Sequence, residues 1–292
     1  MTLEQYLLQQ YSKTTLATNS NNIKRYVAYM HDKAETANYN DVLDYIGYLR
    51  SKGTHSKTLR NNLFGIKIYY RYLISIGKRK DHPCSELNLQ DKINRAIPVE
   101  SLYSITTLEN FLQTHQSKRK QLQKRDEIII SFLIYQALTV LEISQIELQN
   151  INLDKGEIYI KGNVKQKQRN LSLKPQQIML LHKYINQERN ELLQYNKNPS
   201  EAEKRVLLLG QRGEKMLQHS ISRIINYNRT AQEKLLPIKI RQSVIAHLLK
   251  QGNNLRIVQV FAGHRRAGST EEYKQTGLEA LKNAVNQYHP LQ

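Results

Sequence analysis

The stretch that decides the fold is KIRQSVIAHLL at residues 239–249, which is followed by Gly263-His264 and by Tyr273. Apolar residues recur in it at three- and four-residue spacing, which predicts a helix with Arg241 near its start. A glycine turn then precedes the histidine, and the tyrosine follows nine residues later. Arg, His and Tyr side chains can bind a phosphate, relay a proton and act as a nucleophile.

The charge of the chain indicates a polyanionic partner. Its 292 residues include 44 Lys and Arg against 25 Asp and Glu, a net charge of +19. Such an excess favours binding to nucleic acid, and double-stranded DNA is the expected partner. The longest apolar run, 128–134, is far shorter than the roughly 20 residues that span a bilayer. The first residues do not resemble a secretion signal, so we expect a cytoplasmic protein without a membrane segment.

The pattern along the chain predicts a mainly α fold with two domains. Residues 1–80 have helical periodicity and fit a four-helix DNA-binding domain. Residues 81–105 are polar, contain two prolines and are expected to form a linker. Residues 106–292 return to helical periodicity, interrupted over 157–173 by two alternating stretches that predict a β-hairpin.

The strongest concentration of positive charge lies in residues 51–80, which hold eight basic side chains and no acidic one. On a helix that begins near Ser56, the spacing places the basic residues on one face and the apolar residues on another. Two further basic residues, in the predicted hairpin, are expected to contact the DNA as well. The predicted DNA-binding residues are Lys57, Arg60, Lys67, Arg71, Lys78, Lys167 and Arg169.

The order of Arg241, Gly263-His264 and Tyr273 resembles the tyrosine recombinase (phage integrase) family. The resemblance extends over most of the chain, as a basic helical core-binding-like domain, a linker, and an α-rich catalytic domain with a hairpin. It implies site-specific DNA recombination or integration, as in mobile elements. In that chemistry Tyr273 forms a phosphotyrosyl bond, Arg241 holds the phosphate, and His264 binds the phosphate or relays the tyrosine proton. It implies no metal and no other cofactor, because arginines supply the positive charge.

Three positions depart from the pattern of the family. Thr139 stands where the family has its first catalytic Arg, and Ile238 stands where it has a His three residues before Arg241. Asn163 takes the place of the hairpin lysine, so Lys165, two residues further on, is the candidate catalytic lysine, with Lys161 on the other side. Because one lost donor to a developing anion costs about 3 to 4 kcal/mol, these losses predict slow unaided cleavage.

Three interpretations remain open at the level of the sequence. The first, which leans to an enzyme, is a DNA strand transferase in which other groups or a partner recombinase compensate for the missing residues. The second is a DNA-binding accessory protein that keeps the fold but does not cut. A basic RNA-binding or nucleoid protein is disfavoured by the spacing. The resemblance also implies a dimer or tetramer on DNA, in which the apolar stripe of the tail at 277–292 docks on a neighbour.

Overall fold

The computed structural model describes residues 1–92, 97–98 and 101–273, apart from the side chains at positions 13 and 14. The chain divides into two compact units, Met1–Asn94 and Arg95–Gln292. The predicted docking tail at 277–292 lies outside the described residues. Among the described residues, no helix is both long and apolar enough to cross a lipid bilayer.

The first unit contains the four predicted α-helices and a short 3₁₀ turn at His31–Glu35. Thr2 and Asn38 cap two of these helices with their side chains. Gly53 and Gly77 follow two helices at φ of +71° and +75°, the left-handed backbone that glycine adopts without strain. The α-helices are α1 (Leu3–Gln10), α2 (Lys13–Met30), α3 (Tyr39–Ser51) and α4 (Ser56–Ser75).

Tyrosines form much of the core of the first unit. Tyr26, Tyr45 and Tyr70 are almost fully buried among aliphatic side chains. The hydroxyl groups of Tyr26 and Tyr70 share a hydrogen bond of 2.5 Å, and Tyr70 also donates to the carbonyl oxygen of Ala34 at 3.1 Å. These bonds pair the hydroxyl groups that burial removes from water, so tyrosine can serve here as a core residue.

Residues 81–92, predicted as linker, pack onto the first unit. Cys84 and Leu87 are buried in its core. The Asp91 carboxylate pairs with Arg50 at 2.8 Å, and the carbonyl oxygen of Asp91 accepts a hydrogen bond from Arg60 at 2.7 Å. At the other end, the residues just before the first helix of the second unit belong to that unit. The backbone N–H of Tyr103 donates there to the buried hydroxyl oxygen of Ser243 at 2.8 Å. The structure therefore shortens the predicted linker from both ends.

The second unit is mainly α-helical and contains the predicted hairpin. Its two strands pair antiparallel, with Ile158 opposite Leu171 and Ile160 opposite Arg169. A short third strand extends this hairpin into a sheet of order β1-β2-β3. The strands are β1 (Ile151–Asn152), β2 (Glu157–Ile160) and β3 (Arg169–Ser172). The helices are α5 (Ile105–Thr114), α6 (Gln123–Tyr135), α7 (Val140–Gln145), α8 (Pro175–Lys183), α9 (Arg189–Gln194), α10 (Glu201–Arg205), α11 (Gln218–Ile225), α12 (Pro237–Lys250) and α13 (Leu255–Ala262), with a π turn at Tyr184–Glu188 between α8 and α9.

Helix α6 forms the centre of the second unit, and its residues from 128 to 134 are buried all round. A helix that is apolar on every side must be covered by other elements, and α5, α8, α11 and α12 supply that cover. A smaller apolar cluster joins Ala137, Ile245, Val258 and Ala262, with Tyr273 packed against it. The chain immediately after α6 and the helices α12 and α13 therefore meet in one place, next to Tyr273.

Candidate active site

Arg241 lies one turn into α12 and is almost completely buried. Its guanidinium donates to the carbonyl oxygen of Ala137 and, at 2.5 Å, to that of Ala262. Burial lowers the pKa of Arg241, while the nearby Glu142 carboxylate raises it. The two carbonyl groups fix the planar fork of the guanidinium, which leaves its remaining N–H groups to bind another anion.

Ala137 adopts an unusual backbone conformation that serves this contact. Its φ is +48°, in the left-handed region, which costs a non-glycine residue about 1 to 2 kcal/mol. It follows α6 and is fully buried in the small apolar cluster. The turn aims the Ala137 carbonyl oxygen at Arg241, and Thr139, the N-cap of α7, follows two residues later.

Glu142 is a buried carboxylate within α7 that receives donors on both oxygens. Oε1 accepts from Nη1 of Arg169 at 2.7 Å. Oε2 accepts from the backbone N–H of Thr139 at 2.8 Å and from its hydroxyl at 2.9 Å. Burial alone would raise the pKa of Glu142. The hydrogen bond from Arg169 outweighs this effect, together with the charges of Arg169 and Arg241 and the hydrogen bond from the Thr139 N–H. The pKa of Glu142 is therefore lowered. Glu142 is therefore an ionised anchor at neutral pH.

Arg169 is a buried member of this site rather than a surface residue. The sequence predicts a DNA contact for it, but its side chain is only 2% exposed. On β3 it shares the inward face with Leu171, while Asn170 and Ser172 point outward. The alternation that predicts the strand also predicts this burial, since residues two apart lie on the same face of a strand.

His264 follows the glycine turn at the end of α13, where Gly263 has φ of +70°. Its Nδ1 shares a hydrogen bond of 2.9 Å with Oγ1 of the fully buried Thr270. Burial, together with the positive charges of Arg241 and Arg169, lowers the pKa of His264 to about 4. The imidazole is therefore neutral at physiological pH, with Nε2 as the nitrogen that can exchange a proton with a substrate or with Tyr273.

Tyr273 lies beside these groups. Its ring stacks on that of His264, with centroids 6.1 Å apart and an interplanar angle of 20°. Burial raises the pKa of the Tyr273 hydroxyl, while the positive charge of Arg241 acts to lower it. The structure thus brings together Arg241, His264 and Tyr273, as the spacing in the sequence predicts. The hydroxyl stays protonated at neutral pH, so a group that accepts its proton is needed if it is to attack.

The turn between β2 and β3 is fastened to the glycine turn. The side-chain oxygen of Asn163 accepts from the backbone N–H of Lys165 at 2.8 Å, and its carbonyl oxygen accepts from Arg265 at 2.9 Å. The backbone N–H of Lys167 donates to the Gly263 carbonyl oxygen at 2.8 Å. Asn163 therefore shapes the turn, whereas the side chains of Lys165 and Lys167 are exposed beside the site.

The basic residues predicted on α4 differ in how they are held. Arg60 and Lys67 donate to the carbonyl oxygens of Asp91 and Ser85, at 2.7 and 2.8 Å. The side chains of Lys57 and Arg71 are exposed and have no hydrogen bond or ion pair within the described part of the chain. Lys78, beyond the helix, pairs with Glu35 at the surface at 2.6 Å.

The sequence alone misses several residues of this site. Ile238, at the position of the missing His, is 58% exposed and is not part of the cluster. Glu142, the Ala137 carbonyl group and Thr270 are not predicted, and Arg169 is predicted in a different role. The Thr139-x-x-Glu142 capping box at the start of α7 is a signal that could have indicated an ordered carboxylate there.

Comparison with known proteins identifies the family of the chain. The model of the phage integrase family matches residues 105–278, and that of the phage integrase N-terminal SAM-like domain matches residues 2–77. The chain belongs to the phage integrase family, the family of site-specific tyrosine recombinases.

Relatives of the same class align along almost the whole chain. The tyrosine recombinase XerD of Oceanobacillus iheyensis is 24% identical over 288 residues, which cover 96% of this chain and 93% of that protein. The tyrosine recombinase XerC of Natranaerobius thermophilus is 26% identical over 294 residues, which cover 99% and 94%.

Solved structures share the fold. The XerH site-specific recombinase bound to its difH substrate in a pre-cleavage complex superposes with a TM-score of 0.67 at 17% identity, covering 91% of this chain and 78% of that one. The Tn1549 transposon integrase in complex with a circular intermediate DNA gives a TM-score of 0.64 at 15% identity, covering 97% and 99%.

Proposed function

We propose that this chain cleaves and rejoins one strand of duplex DNA at a specific site, with Tyr273 as the nucleophile. The observation that carries the proposal is the stacking of Tyr273 on His264 beside Arg241, in a half-buried site of the second unit. Arg241 is held rigidly by two carbonyl groups, so it can bind a phosphate without reorganising.

The proposed reaction follows from the charge states of these groups. The Tyr273 oxygen attacks phosphorus and its proton passes to the neutral His264, whose low pKa keeps it unprotonated beforehand. The bond from phosphorus to the 5′-oxygen breaks, and that oxygen leaves as a hydroxyl after taking up a proton. We assign this proton to Lys165, an exposed ammonium two residues from the position of the family's lysine in the turn. The phosphotyrosyl bond then stores the phosphate for rejoining to another strand.

Binding of DNA is assigned to the basic side chains at the surface. Lys57, Arg71 and Lys167 are exposed, and each cation that neutralises a phosphate releases about one counterion. Arg60, Lys67 and Lys78 can add to this surface while keeping their internal partners, since an ammonium or guanidinium has several donors.

The proposed function also implies an assembly on DNA. One Tyr273 site cuts one strand, and an exchange between two duplexes takes four cuts. Four protomers therefore have to meet, either as copies of this chain or together with a partner recombinase. Relatives named XerC and XerD are both similar to this chain, so the sequence comparison is compatible with either arrangement.

The test uses a duplex selected by the protein from a random-sequence pool and nicked near the bound centre, so that a released fragment prevents rejoining. We expect an SDS-resistant protein–DNA adduct with the native chain and none with Tyr273→Phe. Tyr195→Phe, which changes an exposed tyrosine of the same unit, is the matched control and should form the adduct normally. Specific binding without any adduct would instead make the chain a DNA-binding accessory protein.

A further inference from the structure

A single buried carboxylate organises the polar side chains next to Arg241. Thr139, Glu142, Arg169 and Arg241 are together called the Glu142 cluster. Arg169 and Thr139 hold the two oxygens of the carboxylate, and Nη1 of Arg241 lies 4.0 Å from Oε2. A side chain at position 139 and the side chain of Arg169 therefore approach the same carboxylate from its two sides.

Half of the Arg169 guanidinium is not used by Glu142. Its Nε and Nη2 are buried and meet no hydrogen-bond acceptor among the described residues. Buried donors are nearly always paired, and an unpaired one costs about 1 to 3 kcal/mol. By contrast, Arg189, an equally buried arginine of the same unit, donates to three carbonyl groups. The unpaired donors therefore indicate that the positive charge of Arg169 has a role beyond the ion pair with Glu142.

The charge balance of the cluster supports the same conclusion. Arg169 and Arg241 carry two positive charges and Glu142 carries one negative charge, while His264 is neutral at pH 7. The cluster therefore has one net positive charge, which matches the single negative charge of a phosphodiester. Without Arg169 the net charge would be zero, and the buried site would hold no excess charge to stabilise a phosphate.

We propose that Arg169 is a positioning residue of strand cleavage. It binds the oxygen of Glu142 that Thr139 does not bind, and it supplies the positive charge that Thr139 cannot provide. Arg169 is too deeply buried to meet DNA directly, so it acts through the Glu142 cluster. It keeps Glu142 compensated, which prevents this carboxylate from cancelling the charge of Arg241. The inference rests on the proposed function, because it concerns the same cleavage step.

The experiment measures the single-turnover rate of adduct formation on two nicked duplexes. One carries the normal phosphate at the cleaved position, and the other carries a neutral methylphosphonate. Arg169→Met should slow cleavage of the phosphate about 100-fold and cleavage of the methylphosphonate less than 10-fold, since the latter has no charge to balance. Arg169→Lys, which keeps the charge, should stay within about 10-fold of the native rate on the phosphate. The matched control, Arg189→Met, should change the rates on the two substrates by equal factors.

A second variant separates charge from folding. In Arg169→Met combined with Thr139→Arg, a cation again reaches Glu142 from the other side, so cleavage of the phosphate should recover at least tenfold over Arg169→Met. If Arg169→Met alone does not fold, the double variant should fold and cleave within about tenfold of the native chain. Melting temperature and affinity for the uncut duplex confirm folding and binding.

Some outcomes would overturn the inference while the proposed function stands. These are native rates in Arg169→Met, equal slowing on both substrates, an Arg169→Lys variant as slow as Arg169→Met, or a folded, DNA-binding double variant that does not cleave. If the native chain itself forms no adduct, the proposed function fails and this inference fails with it.

Discussion

The basic side chains of α4 and the two arginines of the Glu142 cluster are held in opposite ways. On α4, Lys57 and Arg71 extend into solvent, and Arg60 donates to a carbonyl group at the surface. In the cluster, the side chains of Arg169 and Arg241 are 2% and 4% exposed and are fixed by a carboxylate and by carbonyl groups. The same residue types therefore work in two environments of very different dielectric.

This difference separates binding from chemistry. Exposed charges act over about 10 Å at moderate ionic strength and are screened by salt, so α4 should control affinity. Buried charges act over a few ångströms and are screened little, so the Glu142 cluster should control the rate of cleavage. Each of the following variants tests one side of this division.

The largest effect is expected from Arg241→Lys. An ammonium cannot donate to the carbonyl groups of Ala137 and Ala262 and also grip two phosphate oxygens, because it lacks the planar fork. Cleavage should fall about 100- to 1000-fold, or roughly 3 to 4 kcal/mol, while affinity for uncut DNA changes only slightly. Adduct formation and gel-shift titration measure the two quantities. Arg256→Lys on α13 is the control and should leave both unchanged; a large loss of affinity in Arg241→Lys would contradict the division.

The next effect concerns the two glycines that follow α12 and α13. Gly252 and Gly263 have φ of +84° and +70°, so alanine at either position costs about 1 to 2 kcal/mol of backbone strain. A Cβ at Gly252 meets nothing within 4 Å, whereas at Gly263 it would lie 2.5 Å from Nη1 of Arg169 and 3.1 Å from the Lys167 carbonyl oxygen.

Gly263→Ala should therefore lower the free energy of unfolding by roughly 1 to 3 kcal/mol more than Gly252→Ala, and it alone should slow cleavage. Urea titration and adduct formation measure the two effects. Equal losses in both variants would contradict the tight packing of Arg169 against this turn.

A smaller effect distinguishes the cations within α4. Replacing Lys57 and Arg71 with Gln should reduce the slope of log affinity against log salt concentration by about 2, without changing the melting temperature. The same change at Arg60 and Lys67 should reduce the slope less and should lower the melting temperature slightly, because the hydrogen bonds to Asp91 and Ser85 are lost. Identical slopes for both pairs would show that internal hydrogen bonds do not limit contact with phosphates.

The local pattern of the sequence predicts much of this architecture. Helical periodicity predicts the four helices of the first unit, and the alternation at 157–173 predicts the pairing of β2 with β3. The spacing of Arg241, His264 and Tyr273 predicts that they meet, because a helix, a glycine turn and a short following segment leave little freedom in between.

The contacts of the Glu142 cluster depend on tertiary structure, which the pattern does not contain. Glu142 and Arg169 are 27 residues apart and meet only because β3 turns the Arg169 side chain towards the start of α7. The pattern predicts a linker at 81–92 for a similar reason, since a polar stretch with prolines does not show that Cys84 and Leu87 fit the core of the first unit. Composition indicates that a residue is polar, but only packing decides which charge it faces.

The smallest effect is the response of His264 to acid, which reports the burial and the positive charge of the site. Burial and the positive charges of Arg241 and Arg169 hold its pKa at about 4, against about 6.5 in an unfolded chain. The folded state binds this proton only at a lower pH than the unfolded state does. The stability that neutral His264 contributes is therefore fully present above about pH 6.5. It is lost as the pH falls towards 4. For this partly exposed group we expect a difference of about 1 kcal/mol.

The measurement compares the free energy of unfolding of the native chain and of His264→Gln at pH 7 and pH 5. The native chain should lose more stability than the variant between these values, because glutamine does not titrate, and NMR should show a ring that titrates near pH 4. In Arg169→Lys the charge remains and the titration should stay low, whereas in Arg169→Met it should move towards the ordinary value of His. A titration near 6.5 in the native chain would mean that the site does not hold the excess positive charge on which the role of Arg169 depends.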